Sequence, residues 1–68
     1  KEIVICGILT NLCVRSLAEE AYDRDFEITI IKDCCKAFDV KTHEFTLNDL
    51  KATREEIKVL SLNEFLLK

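Results

Sequence analysis

Apolar and polar positions along the chain switch repeatedly between two periods. Residues 2–6, Glu-Ile-Val-Ile-Cys, form a short β-branched run ending at Gly7, the pattern of a buried strand running into a sharp turn. From residue 11 to 23 the spacing becomes helical. Val14, Leu17, Ala18 and Ala21 share one stripe, and Arg15, Glu19, Glu20 and Asp23 fall away from it. Thr10 or Asn11 offers a side-chain oxygen to cap that helix. A second strand is predicted over residues 27–32, carried by Ile28, Ile30 and Ile31, with a polar loop from Asp33-Cys34-Cys35 to Asp39. Residues 40–53 return to helical spacing, with His43, Thr46, Leu47 and Leu50 at i, i+3, i+4 and i+7 and Asp39 as the cap. A third strand is predicted over 56–60. Ser61 with Glu64 three residues on has the form of a capping box, opening a last short helix through Leu67.

The order β-α-β-α-β-α places the chain in the α/β class, as half of a three-layer, Rossmann-like parallel sheet with right-handed crossovers. Parallel sheets are covered on both faces. Three strands and three helices are too few for that, so partner strands are expected from a missing portion or from another chain.

Composition narrows the function classes. Hydrophobic residues make up 49% of the chain and charged residues 34%, with one Gly and no Pro, which argues for a packed domain over a disordered segment. The formal net charge of −3 supplies no basic footprint for nucleic acid. No apolar run approaches the roughly 20 residues of a membrane helix, and no segment reads as a signal peptide. A cytoplasmic location is the expectation, with neither nucleic acid nor membrane as partner. The four cysteines do not read as a disulfide scaffold, because Cys34 and Cys35 are adjacent and such pairs rarely bridge one another. No Cys-x-x-Cys pair or His cluster suggests zinc, so no metal site is expected in this segment.

The segment from Cys6 to Val14 carries the chemistry. In open α/β sheets ligands bind beyond the carboxyl ends of strands. A cysteine in the first helical turn meets free backbone N–H groups and the positive end of the helix dipole, which favour a thiolate. The same N–H groups suit the oxyanion of a tetrahedral intermediate. By this reasoning Cys13 is either a nucleophile or a small apolar residue closing a strand–helix turn.

Gly7-Ile8-Leu9-Thr10-Asn11-Leu12-Cys13-Val14 resembles the active-site signature of the isochorismatase-like cysteine hydrolases, which include nicotinamidases and ureidoacrylate amidohydrolases. The similarity runs on through Ala21-Tyr22, Phe26, the stretch Asp33 to Asp39, His43-Glu44 and Thr46-Leu47, essentially the whole chain. It implies that residues 1–68 are the carboxy-terminal part of one isochorismatase-like domain whose amino-terminal part is absent. It also implies that Cys13 attacks the carbonyl of a small non-peptide amide and forms a thioester. Leu9 N would serve the oxyanion hole after a cis peptide from Ile8, and Gly7, Thr10 and Asn11 would support the turn. The family's general-base Asp and its Lys match nothing here, so the chain alone is expected to be inactive. A metal is implied in the missing half for a nicotinamidase-like protein, and relatives assemble as homo-oligomers. Asn11, where nicotinamidases more often carry Asp, together with Asp33-Cys34-Cys35, leans toward ureidoacrylate-type or unassigned relatives.

Other residues read as structural: His43 as a packing or surface residue, Asp33 as a brace for backbone N–H groups, and Phe26, Phe38, Phe45 and Phe65 as core or interface. Two rival functions stay open. One is a non-catalytic interaction subunit or remnant of this fold. The other is a thiol redox protein using Cys34 and Cys35.

Overall fold

The computed structural model describes residues 1–67. The elements run in order as β1 (Glu2–Ile8), a wide π-type turn (Thr10–Val14), α1 (Arg15–Asp23), β2 (Glu27–Lys36), α2 (Val40–Thr53), β3 (Lys58–Leu60) and α3 (Leu62–Leu66). The strands form one parallel sheet in the order β1-β2-β3. This is the expected α/β architecture.

Two right-handed crossovers that step the same way along a sheet put their helices on the same face. The core agrees. Ile5, Ile28 and Ile30 from the sheet share one buried cluster with Val14, Ala18 and Ala21 and with Leu47 and Leu50 of α2. On β1 the intervening side chains stay open, Val4 at 49% and Ile8 at 68% exposure.

Several boundaries move, each for a physical reason. β1 continues through Gly7 to Ile8 instead of turning at Gly7. Likewise β2 runs on to Lys36, so Asp33-Cys34-Cys35 lies in a strand and not in a loop. Ladder partners on the neighbouring strand outweigh the polar local sequence: Gly7 pairs with Cys35 and Ile8 with Lys36. Between the pairs Ile5↔Ile30 and Gly7↔Cys35 the register shifts, because two steps along β1 match five along β2. The extra β2 residues form a bulge. β3 begins at Lys58 rather than at Glu56, whose carboxylate instead accepts a hydrogen bond from the Tyr22 hydroxyl at 2.8 Å.

In α1 the inward line is Val14, Ala18 and Ala21, whereas Leu17 is 50% exposed. Leu17 lies at the rim of that line, about 40° beyond Ala21 around the helix, and so stays half open. Of the four phenylalanines, Phe26 packs against the core. Phe38 and Phe45 are 89% and 67% exposed and are not core residues of this chain.

The two downstream caps form as expected. Asp39 Oδ1 accepts from Thr42 N at 2.8 Å. At α3, Ser61 Oγ accepts from Glu64 N at 3.1 Å while Glu64 Oε1 accepts from Ser61 N at 2.7 Å. Asp33 braces the same corner, its carboxylate accepting from Leu62 N at 2.8 Å.

Candidate active site at the end of β1

β1 delivers its last residues to the carboxyl edge of the sheet, and the backbone there is unusual at successive positions. Gly7 has φ +130°, a conformation L side chains rarely adopt, with open space where a Cβ would stand. The Ile8–Leu9 peptide bond is cis. Leu9 is extended and precedes the π-type turn, with no side chain capping it. The expected cap by Thr10 or Asn11 is therefore corrected: both residues lie inside the turn, and the Thr10 hydroxyl is engaged elsewhere.

Its partner is His43. Thr10 is fully buried, and its Oγ1 shares a 2.8 Å hydrogen bond with His43 Nδ1 on α2. The single histidine thus has a structural role, but one that braces the cysteine turn. In the sequence its position suggested remoteness from that turn. The signal was nonetheless present, since a polar ring stood on the inward stripe of α2, where it needs a hydrogen-bonding partner.

The turn's hydrogen bonding bears directly on Cys13. In a regular α-helix the Leu9 carbonyl would accept from the N–H four residues on, that of Cys13. Here it accepts from Leu12 N at 3.0 Å and Val14 N at 3.1 Å, on either side of Cys13. The Cys13 side chain is exposed. Asn11 Oδ1, two residues before it, is buried without a hydrogen-bond partner. Just after the turn, Arg15 pairs with Glu19 at 3.0 Å and with Asp49 of α2, fastening α1 to α2.

The other thiols differ in setting. Cys35 is buried and its Sγ faces the Ile5 carbonyl at 4.0 Å. Burial pushes its thiol up, with Cys6 adding to the effect. Cys34 is exposed. Successive residues of an extended strand point to opposite faces, so the rival redox couple Cys34–Cys35 would have its two sulfurs on opposite sides of the sheet.

A hollow of about 670 Å³ opens at the other end of the strands, among Glu2, Tyr22, Phe26 and Glu56. A smaller one of about 250 Å³ lies beside Cys35, Phe38 and His43, nearer the turn. Among the described residues no group of three or more His, Cys, Asp or Glu side chains could hold a metal ion. No described helix is long and apolar enough to cross a membrane.

Comparison with known proteins gives a consistent result. The Isochorismatase domain family model matches residues 1–63. Nicotinamidase 3 of Arabidopsis thaliana is 36% identical over 50 residues, which is 74% of this chain and 25% of that protein. The isochorismatase family protein YaaI of Bacillus subtilis is 43% identical over 47 residues, 69% of this chain and 26% of that protein. An isochorismatase-like hydrolase from Alkaliphilus metalliredigens superposes with a TM-score of 0.87 at 29% identity, covering 97% of this chain and 35% of that one. The pyrazinamidase of Pyrococcus horikoshii in complex with zinc superposes with a TM-score of 0.81 at 31% identity, covering 91% and 34%. The chain thus spans about a quarter of the curated relatives it matches and about a third of the solved structures. On the match over residues 1–63 and the shared fold, the chain belongs to the isochorismatase family.

Proposed function

We propose that Cys13 is the nucleophile of a cysteine amidohydrolase acting on a small non-peptide amide, in a protein of which these residues form the carboxy-terminal part of the domain. The observation that carries the reading is the wide turn. The Leu9 carbonyl is taken by Leu12 and Val14, not by Cys13, while the Cys13 thiol is exposed at the carboxyl edge of a parallel sheet. In this scheme the Cys13 thiolate attacks the amide carbonyl carbon, and the oxyanion is held by Leu9 N and Cys13 N. The C–N bond breaks, the amine leaves with a proton, and a thioester remains. Water attacks the thioester, the acid departs, and the thiol is regenerated. Gly7, Thr10 and Asn11 shape the turn, and Thr10 does so through His43.

The proton-transferring base and a cationic partner belong, in this reading, to the portion outside these residues. His43 bonds Thr10 and Asp33 bonds Leu62 N, so both are engaged elsewhere. A zinc ion of the kind in the Pyrococcus horikoshii pyrazinamidase has no ligand set among the described residues. Its ligands would be supplied by the same outside portion, and no step here depends on it. The names of the nicotinamidase and pyrazinamidase relatives support a small amide as substrate. The open Val4 and Ile8 side of β1 suits the rest of the domain or another chain, and assembly as a homo-oligomer is part of the reading. Four free thiols fit a reducing, cytoplasmic compartment.

The test is release of ammonia or amine from nicotinamide and other small amides by the whole protein, with mass spectrometry of acylated Cys13. Cys13→Ala should reduce turnover by at least about a thousandfold. Undiminished turnover in that variant would overturn the assignment. The 68-residue chain alone should show no Cys13-dependent turnover.

A further inference from the structure

Cys6 and Cys34 take no part in the turn chemistry. Cys6 precedes Gly7 on β1, Cys34 precedes Cys35 on β2, and Gly7 and Cys35 are ladder partners. One step back from a parallel ladder pair lie two residues that point to the same face. Exposure agrees. Ile5 and Cys35 are buried on the helix-covered side, whereas Cys6 and Cys34 are both open. Neighbouring strands run about 4.7–4.9 Å apart, inside the roughly 4.4–6.8 Å separation of Cα atoms that a disulfide spans. The bulge of β2 between Ile30 and Cys35 relieves this stretch of a rigid ladder register.

We propose that Cys6 and Cys34 form a cross-strand redox site whose oxidant is a small-molecule disulfide. One protein thiolate attacks a sulfur of that disulfide, forming a mixed disulfide and releasing the first small thiol. The second protein thiolate then attacks the mixed bond, the Cys6–Cys34 bond forms, and the second small thiol leaves. Two electrons pass from the protein thiols to the small disulfide, and the two protons end on the two released thiols. The closed bond ties β1 to β2 immediately ahead of Gly7, where the chain enters the Cys13 turn. Proximity is reflected in the Cys6 thiol, which is pushed up by partial desolvation first and by the adjacent Cys34 second. A transient bond of this kind suits a reducing compartment, where disulfides serve sensing more than stability.

The test equilibrates three variants of the whole protein, with any cysteine outside these residues replaced by Ser so that two thiols remain, with reduced and oxidised glutathione. Cys13→Ser/Cys35→Ala keeps the proposed pair, Cys6→Ser/Cys13→Ser keeps the vicinal pair, and Cys6→Ser/Cys35→Ala keeps Cys13 with Cys34. The first should form its intramolecular disulfide with an equilibrium constant at least about tenfold above the other two, and above its own value in concentrated guanidinium chloride. Cys13→Ser alone, which leaves the buried Cys35 in place, guards against loss of fold in the Cys35 variants. After mild oxidation its peptide map should link Cys6 to Cys34. Equal constants across the variants, or linkage of Cys6 to Cys35, would overturn the site.

Discussion

Thr10 Oγ1 and His43 Nδ1 lie 2.8 Å apart across 33 residues of sequence, joining the turn that carries Cys13 to the first turns of α2. Thr10 is fully buried, so this bond does more than decorate a surface. It holds the floor of the turn against a helix that is itself fixed by Asp39 at its start and by Leu47 and Leu50 in the core.

Replacing Thr10 by Val keeps the shape and strips the hydroxyl, leaving the histidine nitrogen without its partner. The expected loss is about 1–3 kcal/mol, read as a lowered urea midpoint with unchanged slope. In a double-mutant cycle with His43→Leu, a coupling of about 0.5 kcal/mol or more is expected. Strict additivity would show that the two groups do not interact in solution.

At Gly7 a Cβ meets open space, so Gly7→Ala tests backbone conformation and not packing. With φ at +130° the substitution should destabilise by about 1–3 kcal/mol. A neutral result in thermal unfolding would mean that the strand end relaxes to an ordinary conformation.

Asp39 should shape the acid limb of the stability curve. Its carboxyl is held below the ordinary aspartate range by the Thr42 backbone N–H first and the Thr42 hydroxyl second. A lowered folded value means the stabilisation is present above the ordinary range and fades as pH falls through the lowered one. Asp39→Ala should therefore lower Tm at neutral pH, with the gap to the parent chain closing in acid. Asp39→Asn keeps a capping oxygen and should lose less Tm at neutral pH than the alanine variant.

Thiol accessibility offers a further check. Iodoacetamide at neutral pH should label the exposed Cys13 and Cys34 on the folded chain, label Cys6 more slowly because its thiol is pushed up, and spare Cys35, which is buried and whose thiol is pushed up by that burial. Cys35 should react when urea opens the core. Rapid labelling of Cys35 without denaturant would contradict its place beneath the sheet.

The Arg15 network should matter modestly. Arg15 reaches Glu19 and Asp49, and Arg54 approaches Glu19 at 3.8 Å, all of them partly open to solvent. Arg15→Gln is expected to lower stability by about 0.2–1 kcal/mol, and raised salt should shrink that difference.

Periodicity and capping are local, and what depends on them was legible in the amino-acid sequence. The element order, the Asp39 cap and the Ser61–Glu64 capping box each rest on residues within a turn or two of one another. The strand–turn–helix motif around Cys13, and with it the family, was likewise contained in eight consecutive residues. Three features were settled by tertiary structure instead. β2 runs to Lys36 because Gly7 and Ile8 offer ladder partners, although its own residues 33–36 read as a loop. Cys34 shares the open face of the sheet with Cys6 and not with its sequence neighbour, since a strand alternates its faces and the pairing of Gly7 with Cys35 sets which residues of β1 and β2 share one. His43 reaches Thr10 because β2 and the start of α2 carry it back to the turn. Local spacing specifies which face a residue occupies; only strand register and helix packing specify what that face meets.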